Sequence, residues 1–155
     1  NYSLLINAFN IFLKTNPKAL LLIFGEGPER RYLENQIKDL DLENNIILKG
    51  YCTHKEIAHS LSKSYLYIQS SISEGLPKSI LEGVSSGCPI ISTNVGSCKE
   101  ITDKFGLCVE PNNHKDLAKA IKKLLNDLKK TNTFSKKKQN RKLPPPFFET
   151  ECIFF

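Results

Sequence analysis

Three features of the sequence predict an α/β fold, a Rossmann-like parallel sheet flanked by helices. Short apolar runs alternate with longer segments of helical period. Runs such as ALLLIF are continuous, as expected for strands buried on both faces. Loops of special composition, GEGP, GYC, SSISEG and TNVGS, each follow such a run. Strands alternating with helices imply βαβ units with right-handed crossovers.

Leu5, Ala8, Phe9 and Phe12 recur at helical spacing, so residues 2–14 read as an amphipathic helix ended by Thr-Asn-Pro. Residues 19–24 read as a buried strand. Pro28 then suits the first helical position, and Leu33, Ile37 and Leu40 carry a helix to about residue 40. Residues 45–50 form the next strand. Thr53 and Glu56 make a capping box that opens a helix of about eight residues. Residues 65–70 are a strand, and Pro77 to about Ser86 a helix closed by Gly87. Residues 89–94 and, more weakly, 107–110 are strands. Asn113 caps a last helix through Leu117, Ala120, Ile121, Leu124 and Leu128. Ligands of such sheets bind outside the carboxyl ends of the strands. The four special loops fall at those ends, and the site is expected there.

Composition narrows the class. The 155 residues suit one domain, and 40% hydrophobic with 25% charged residues is ordinary for a globular chain able to bury a core. No apolar run approaches the roughly eighteen residues of a membrane span. The N-terminus has no basic n-region, and the sequence contains no Met, so a fragment without a signal peptide is the expectation. From Lys129 to Phe155 there are seven basic and two acidic residues, so five of the six net positive charges lie there. The rest is nearly neutral and indicates no nucleic-acid face. Cys52, Cys88, Cys98, Cys108 and Cys152 form no Cys-x-x-Cys pair and read as reduced thiols of a cytoplasmic protein. His54, His59 and His114 match no zinc spacing, and no metal or cofactor is expected. Beyond residue 128 the character changes to lysine runs, three prolines and aromatics. Residues 129–155 are therefore expected to be a disordered tail outside a domain of residues 1–128.

Two motifs carry little. GEGPER resembles Gly-x-Gly-x-x-Gly, but Arg30 stands at the third glycine and no acid follows the next strand at the ribose position. Asp39-Leu40-Asp41 resembles a metal-holding Asp-x-Asp but sits at a helix end. The stretch SEGLPKSILEG is richer. Pro77 in the first turn would leave amides of Lys78, Ser79 and Ile80 unpaired and pointing outward. Such a helix start binds anions, with Lys78 adding charge and Gly75 letting the backbone come close. Glu74 precedes it. Glu82 lies five residues beyond Pro77, about 7.5 Å along the axis. The order acid, anion cradle, acid matches sugar hydroxyls, diphosphate and ribose hydroxyls, since a carboxylate can accept from a vicinal diol.

The blocks Gly25 to Pro28, Gly50, Ser71 to Glu82, Gly87 to Thr93 and Gly96 to Glu100, in that order and spacing, resemble the C-terminal domain of retaining glycosyltransferases of the GT-B fold, group 1 or family 4. The resemblance covers residues 1–128, and the Gly96 to Glu100 block looks like an exopolysaccharide branch using UDP-glucose. It implies hexosyl transfer from a nucleoside diphosphate sugar, here a UDP-sugar, to a sugar or lipid-linked acceptor. It implies that Glu74 acts near the anomeric centre, Glu82 on ribose, and the backbone from Leu76 through Pro77 and Lys78 to Ser79 on the diphosphate, with Gly75 beside it in the donor site. It further places Gly50 and Tyr51 on the base and Gly25 and Gly27 beneath the nucleotide. The family's acceptor domain, first strand and upstream Arg/Lys pair have no counterpart here. The chain alone is therefore expected to be inactive, and peripheral membrane association would belong to a fuller enzyme. A non-catalytic module needing a separate N-terminal half is the main alternative, and a sugar-nucleotide epimerase a third.

Overall fold

The computed structural model describes residues 1–130 and 152–154. Its elements are α1 (Tyr2–Leu13), β1 (Leu20–Phe24), α2 (Arg30–Asp39), β2 (Ile46–Gly50), α3 (His54–Lys63), β3 (Leu66–Gln69), α4 (Lys78–Ser85), β4 (Ile90–Thr93), α5 (Cys98–Phe105), β5 (Gly106–Val109), α6 (His114–Lys130) and β6 (Cys152–Phe154). Local chemistry starts several of them. Asn1 caps α1 by accepting the Leu4 N–H at 3.3 Å. Both halves of the predicted capping box form: Glu56 accepts the Thr53 N–H at 2.7 Å, and Thr53 Oγ1 accepts the Glu56 N–H at 3.3 Å. Asn113 Oδ1 accepts the Asp116 N–H at 3.1 Å at the start of α6.

The six strands form one sheet in the order β2-β1-β6-β3-β4-β5, with every pairing parallel. Both faces are covered. Leu66 and Ile68 of β3 join Leu5, Phe9, Leu21, Leu117 and Ile121 in the core beneath α1 and α6. The alternate residue Tyr67 joins Phe24, Leu61, Ile80 and Ile90 beneath α3 and α4. Burying each large aliphatic side chain here contributes about 1.5–3 kcal/mol. This double burial is why the strands read as continuous apolar runs.

The structure departs from the sequence expectations in four places. Pro28 precedes the helix it was expected to open, since α2 starts at Arg30. Pro77 is the N-cap of α4 with extended backbone, not its first helical residue. The segment Cys98–Phe105, not expected as an element, is a helix of eight residues. The fourth concerns the C-terminal segment. Helix α6 runs on to Lys130, and Cys152–Phe154, expected in a tail, forms the central strand β6. Ile153 is in register with both Leu21 of β1 and Leu66 of β3. The remaining residues expected to be disordered, 131–151 and 155, lie outside the described residues. The physical reason for β6 is the backbone of β1 and β3. Inner edges left unpaired in a buried sheet would lose about 1–3 kcal/mol per group, and a Cys-Ile-Phe segment suits a strand.

A proline at position 153 tests this pairing, because a central strand uses every N–H and proline has none. In the full chain, Ile153→Pro should lower the urea midpoint, with a loss of about 1–3 kcal/mol, while Ile153→Val should change it much less. Equal midpoints for the proline variant and wild type would remove β6 from the sheet.

Candidate functional site

The carboxyl ends of β1, β2 and β3 open into a cavity of about 340 Å³. Its wall includes Phe24 and Gly25 after β1, Tyr51 and Cys52 after β2, Gln69 at the end of β3, and Ser79 and Glu82 of α4. Glu82 is therefore brought to the cavity. Its Oε1 lies 3.7 Å from His54 Nδ1. A second cavity of about 250 Å³, lined by Gly25, Gly27, Pro28 and Arg30 among others, shares Tyr2 and Gly25 with the first. Tyr2 stands on the shared wall, and its hydroxyl donates to the Phe24 carbonyl at 3.3 Å.

The start of α4 keeps part of its expected character. Pro77 offers no side-chain cap. The Ile80 N–H is not available, since it donates to the Pro77 carbonyl at 3.3 Å. The Lys78 and Ser79 N–H groups have no protein acceptor among the described residues. Two amides rather than three thus face outward at the positive end of the helix. Lys78, Gly75 and Leu76 are exposed beside them, and Pro77 is buried.

Glu74 is held by hydrogen bonds on one side only. Ser71 Oγ donates to its Oε1 at 2.7 Å, and Gln69 Nε2 donates to the same oxygen at 3.0 Å. Oε2 has no protein partner among the described residues. Behind this carboxylate, the Tyr67 hydroxyl donates to Gln69 Oε1. Burial, foremost, pushes the Tyr67 hydroxyl well above the ordinary tyrosine range. It therefore stays protonated at neutral pH and remains a donor.

The TNVGS loop clamps the loop that carries Glu74. Thr93 Oγ1 donates to the Ser71 carbonyl at 2.6 Å. The Ser97 N–H donates to the Gly75 carbonyl at 3.0 Å. Gly96 has φ of +51°, and a Cβ there would overlap the Glu74 carbonyl oxygen. On the other side of the sheet's switch point, the Gly25 N–H donates to the Gly50 carbonyl at 2.9 Å, which ties the two glycine turns together. Tyr51 is 89% exposed, with a face free for contact. Asp39 ends α2, and Asp41 follows in the left-handed region with φ of 56°, apart from the cavities. No group of three or more His, Cys, Asp or Glu among the described residues is placed to hold a metal.

The family profile described as glycosyl transferases group 1 matches residues 1–141. The chain belongs to the glycosyltransferase group 1 family. It is 34% identical over 125 residues to the poly(glycerol-phosphate) alpha-glucosyltransferase of Bacillus subtilis, covering 79% of this chain and 18% of that protein. It is similar to TarM of S. aureus, solved with fondaparinux, alpha-GlcNAc-glycerol and UDP, at 29% identity and a TM-score of 0.76, covering 90% of this chain and 29% of that one. It is also similar to the C-terminal domain of LpcC, a glycosyl transferase group 1 protein from Francisella tularensis, at 28% identity and a TM-score of 0.74, covering 83% of this chain and 70% of that one. The fold is that of the C-terminal, Rossmann-like domain of a GT-B glycosyltransferase. The chain spans well under two thirds of the length of the curated relatives it matches. No helix among the described residues is long and apolar enough to cross a membrane.

Within this glycosyltransferase domain, sequence reasoning missed Tyr2, Cys52, His54, Gln69 and Tyr67. Tyr2 lies in the first turn of α1, far along the chain from the loops it meets, and no local pattern marks it. Gln69 does leave a signal: it is an amide at the end of an otherwise apolar strand.

The Gly96 contact can be tested against a second glycine of like conformation. Gly87 also has positive φ, at +66°, but a Cβ there would meet nothing within 4 Å. Gly87→Ala should cost about 1–2 kcal/mol for the backbone alone. Gly96→Ala should cost more and should also weaken ligand binding at the Glu74 loop. Chemical denaturation and calorimetry of the two variants check this, and equal losses would mean that the clamp does not depend on close approach.

Proposed function

We propose that the described residues form the donor half of a retaining glycosyltransferase, binding a nucleoside diphosphate hexose, namely a UDP-hexose. The observation that carries the reading is the arrangement along one loop and helix. A carboxylate with one free oxygen, two unpaired helix amides, and a second carboxylate in a cavity follow in sequence. Glu74 would accept from hexose hydroxyls near the anomeric carbon. The Lys78 and Ser79 amides, the helix dipole and the Lys78 ammonium would meet the diphosphate, with Gly75, Leu76 and Pro77 shaping the approach. As the bond to the hexose breaks, negative charge grows on the leaving diphosphate, and donors already aimed there stabilise it without reorganising. Glu82 would accept from the ribose diol. Tyr51 and Gly50 would flank the base, and Gly25 and Gly27 would pass beneath the nucleotide. The UDP in the S. aureus structure and the glucosyl transfer named for the B. subtilis relative support this donor class. The acceptor would be a sugar or a lipid-linked sugar. A sequence with five cysteines and no Cys-x-x-Cys pair supports a cytoplasmic setting.

Two substitutions separate the two acids. Glu82→Ala should weaken UDP and UDP-glucose alike, by about 1.5–3 kcal/mol for a lost charged hydrogen bond. Unchanged UDP affinity in the folded variant would remove Glu82 from the ribose. Glu74→Gln should weaken UDP-glucose much more than UDP by calorimetry. Equal losses for both ligands would make Glu74 a structural residue of its loop.

A further inference from the structure

Gln69 sits at the last position of β3 with only 8% exposure, and all four hydrogen-bonding positions of its amide are used. Its carbonyl oxygen accepts from the Tyr67 hydroxyl and, at 3.0 Å, from Ser79 Oγ. Its NH2 group donates to Ser71 Oγ at 2.7 Å and to Glu74 Oε1 at 3.0 Å. The chemistry of the partners sets the direction. A carboxylate can only accept, so the NH2 must face Glu74. The hydroxyls of Tyr67 and Ser79 then donate to the other end. We propose that Gln69 is a positioning residue that orients Glu74 for the hexose, resting on the reading of Glu74 as the sugar contact.

Glu74 rides on a loop of Ser, Gly and Ile residues with no secondary structure of its own, and a free glutamate there would sample several rotamers. Two donors converging on Oε1 select one of them and leave Oε2 directed away from the pair. Ser71 by itself could not do this, because a hydroxyl rotates and has a choice of acceptors. Gln69 donates to Ser71 Oγ, so that the Ser71 proton is the one left for Glu74. Gln69 in turn is held from behind by Tyr67, whose ring is buried in the core between the sheet and α4. The rigid part of the fold thus reaches the carboxylate through three side chains. The phosphate side meets Gln69 only through the Ser79 hydroxyl, while the outward N–H groups of Lys78 and Ser79 are set by the backbone of α4.

The test uses the full chain and two ligands, UDP and UDP-glucose, by calorimetry. Gln69→Leu and Gln69→Met both remove the amide, the second at closely matched length. Each folded variant should bind UDP-glucose roughly tenfold more weakly, as for a lost hydrogen bond to a charged group. Its UDP affinity should fall several-fold less than its UDP-glucose affinity, since Gln69 also borders the nucleotide cavity. A merely structural role would weaken both ligands together, and that result overturns the proposal. A selective loss in Glu74→Gln without one in the Gln69 variants overturns the proposal and spares the donor reading. Absence of UDP binding by the wild-type chain overturns both. A crystal structure with UDP-glucose in which the Gln69 amide leaves Glu74 to touch the ligand would also overturn it, whether or not the variants fold.

Discussion

A parallel sheet covered by helices on both faces leaves its strand ends as the place where backbone and short loops can meet a ligand. Here that constraint acts with unusual economy of length. β3 has four residues and all are buried, so its last residue, Gln69, is still enclosed when the chain enters the loop. β4 likewise ends on buried Thr93, whose hydroxyl reaches the loop after the neighbouring strand β3. The core and the site are therefore not separate regions. Tyr67 faces the same packing layer as Ile80 and Ile90, while its hydroxyl lies at the first polar group of the site.

Burying polar groups at this edge would be costly if they were unpaired. The structure meets the cost by closing the network. Tyr67, Gln69, Ser71, Ser79 and Glu74 satisfy one another, leaving available one carboxylate oxygen of Glu74 and the first amides of α4. A fully satisfied network rigidifies its members. The groups left over point toward solvent at the cleft, which is where a charged ligand with many hydroxyls would find them.

Loop shape depends on close backbone contacts as much as on side chains. Gly96 lies against the Glu74 backbone, and Ser97 donates to Gly75, so the loops after β3 and β4 act as one piece. The loops after β1 and β2 are joined in the same way through Gly25 and Gly50. Between these two pairs lies β6, drawn from the far end of the chain. With β6 in the central position, the strand order follows the doubly wound 3-2-1-4-5-6 pattern, with the last strand of this chain in place of a first.

Local patterns in the sequence were enough to predict the parallel sheet, five of its strands, five of its helices, and the gathering of special loops at one edge. Apolar runs, capping residues and glycines act over a few residues, so they can be read where they stand. The short helix α5 was missed because its start is weakly marked, since Ser97 makes no side-chain cap and no proline precedes its first turn. Glu82 could be placed beyond the start of α4 because helix geometry carries it there, but its cavity is made by walls from separate strand ends. Tyr2, Gln69 and β6 could not be placed by such means. Tyr2 meets Phe24 through tertiary packing, and β6 pairs with strands more than eighty residues away. The sequence by itself determined most of the strands and helices and the sheet edge where the special loops gather, because those depend on near neighbours. Only the tertiary structure decided which strand fills the centre of the sheet and which oxygen of Glu74 stays free, because both depend on hydrogen bonds between groups that folding alone brings together.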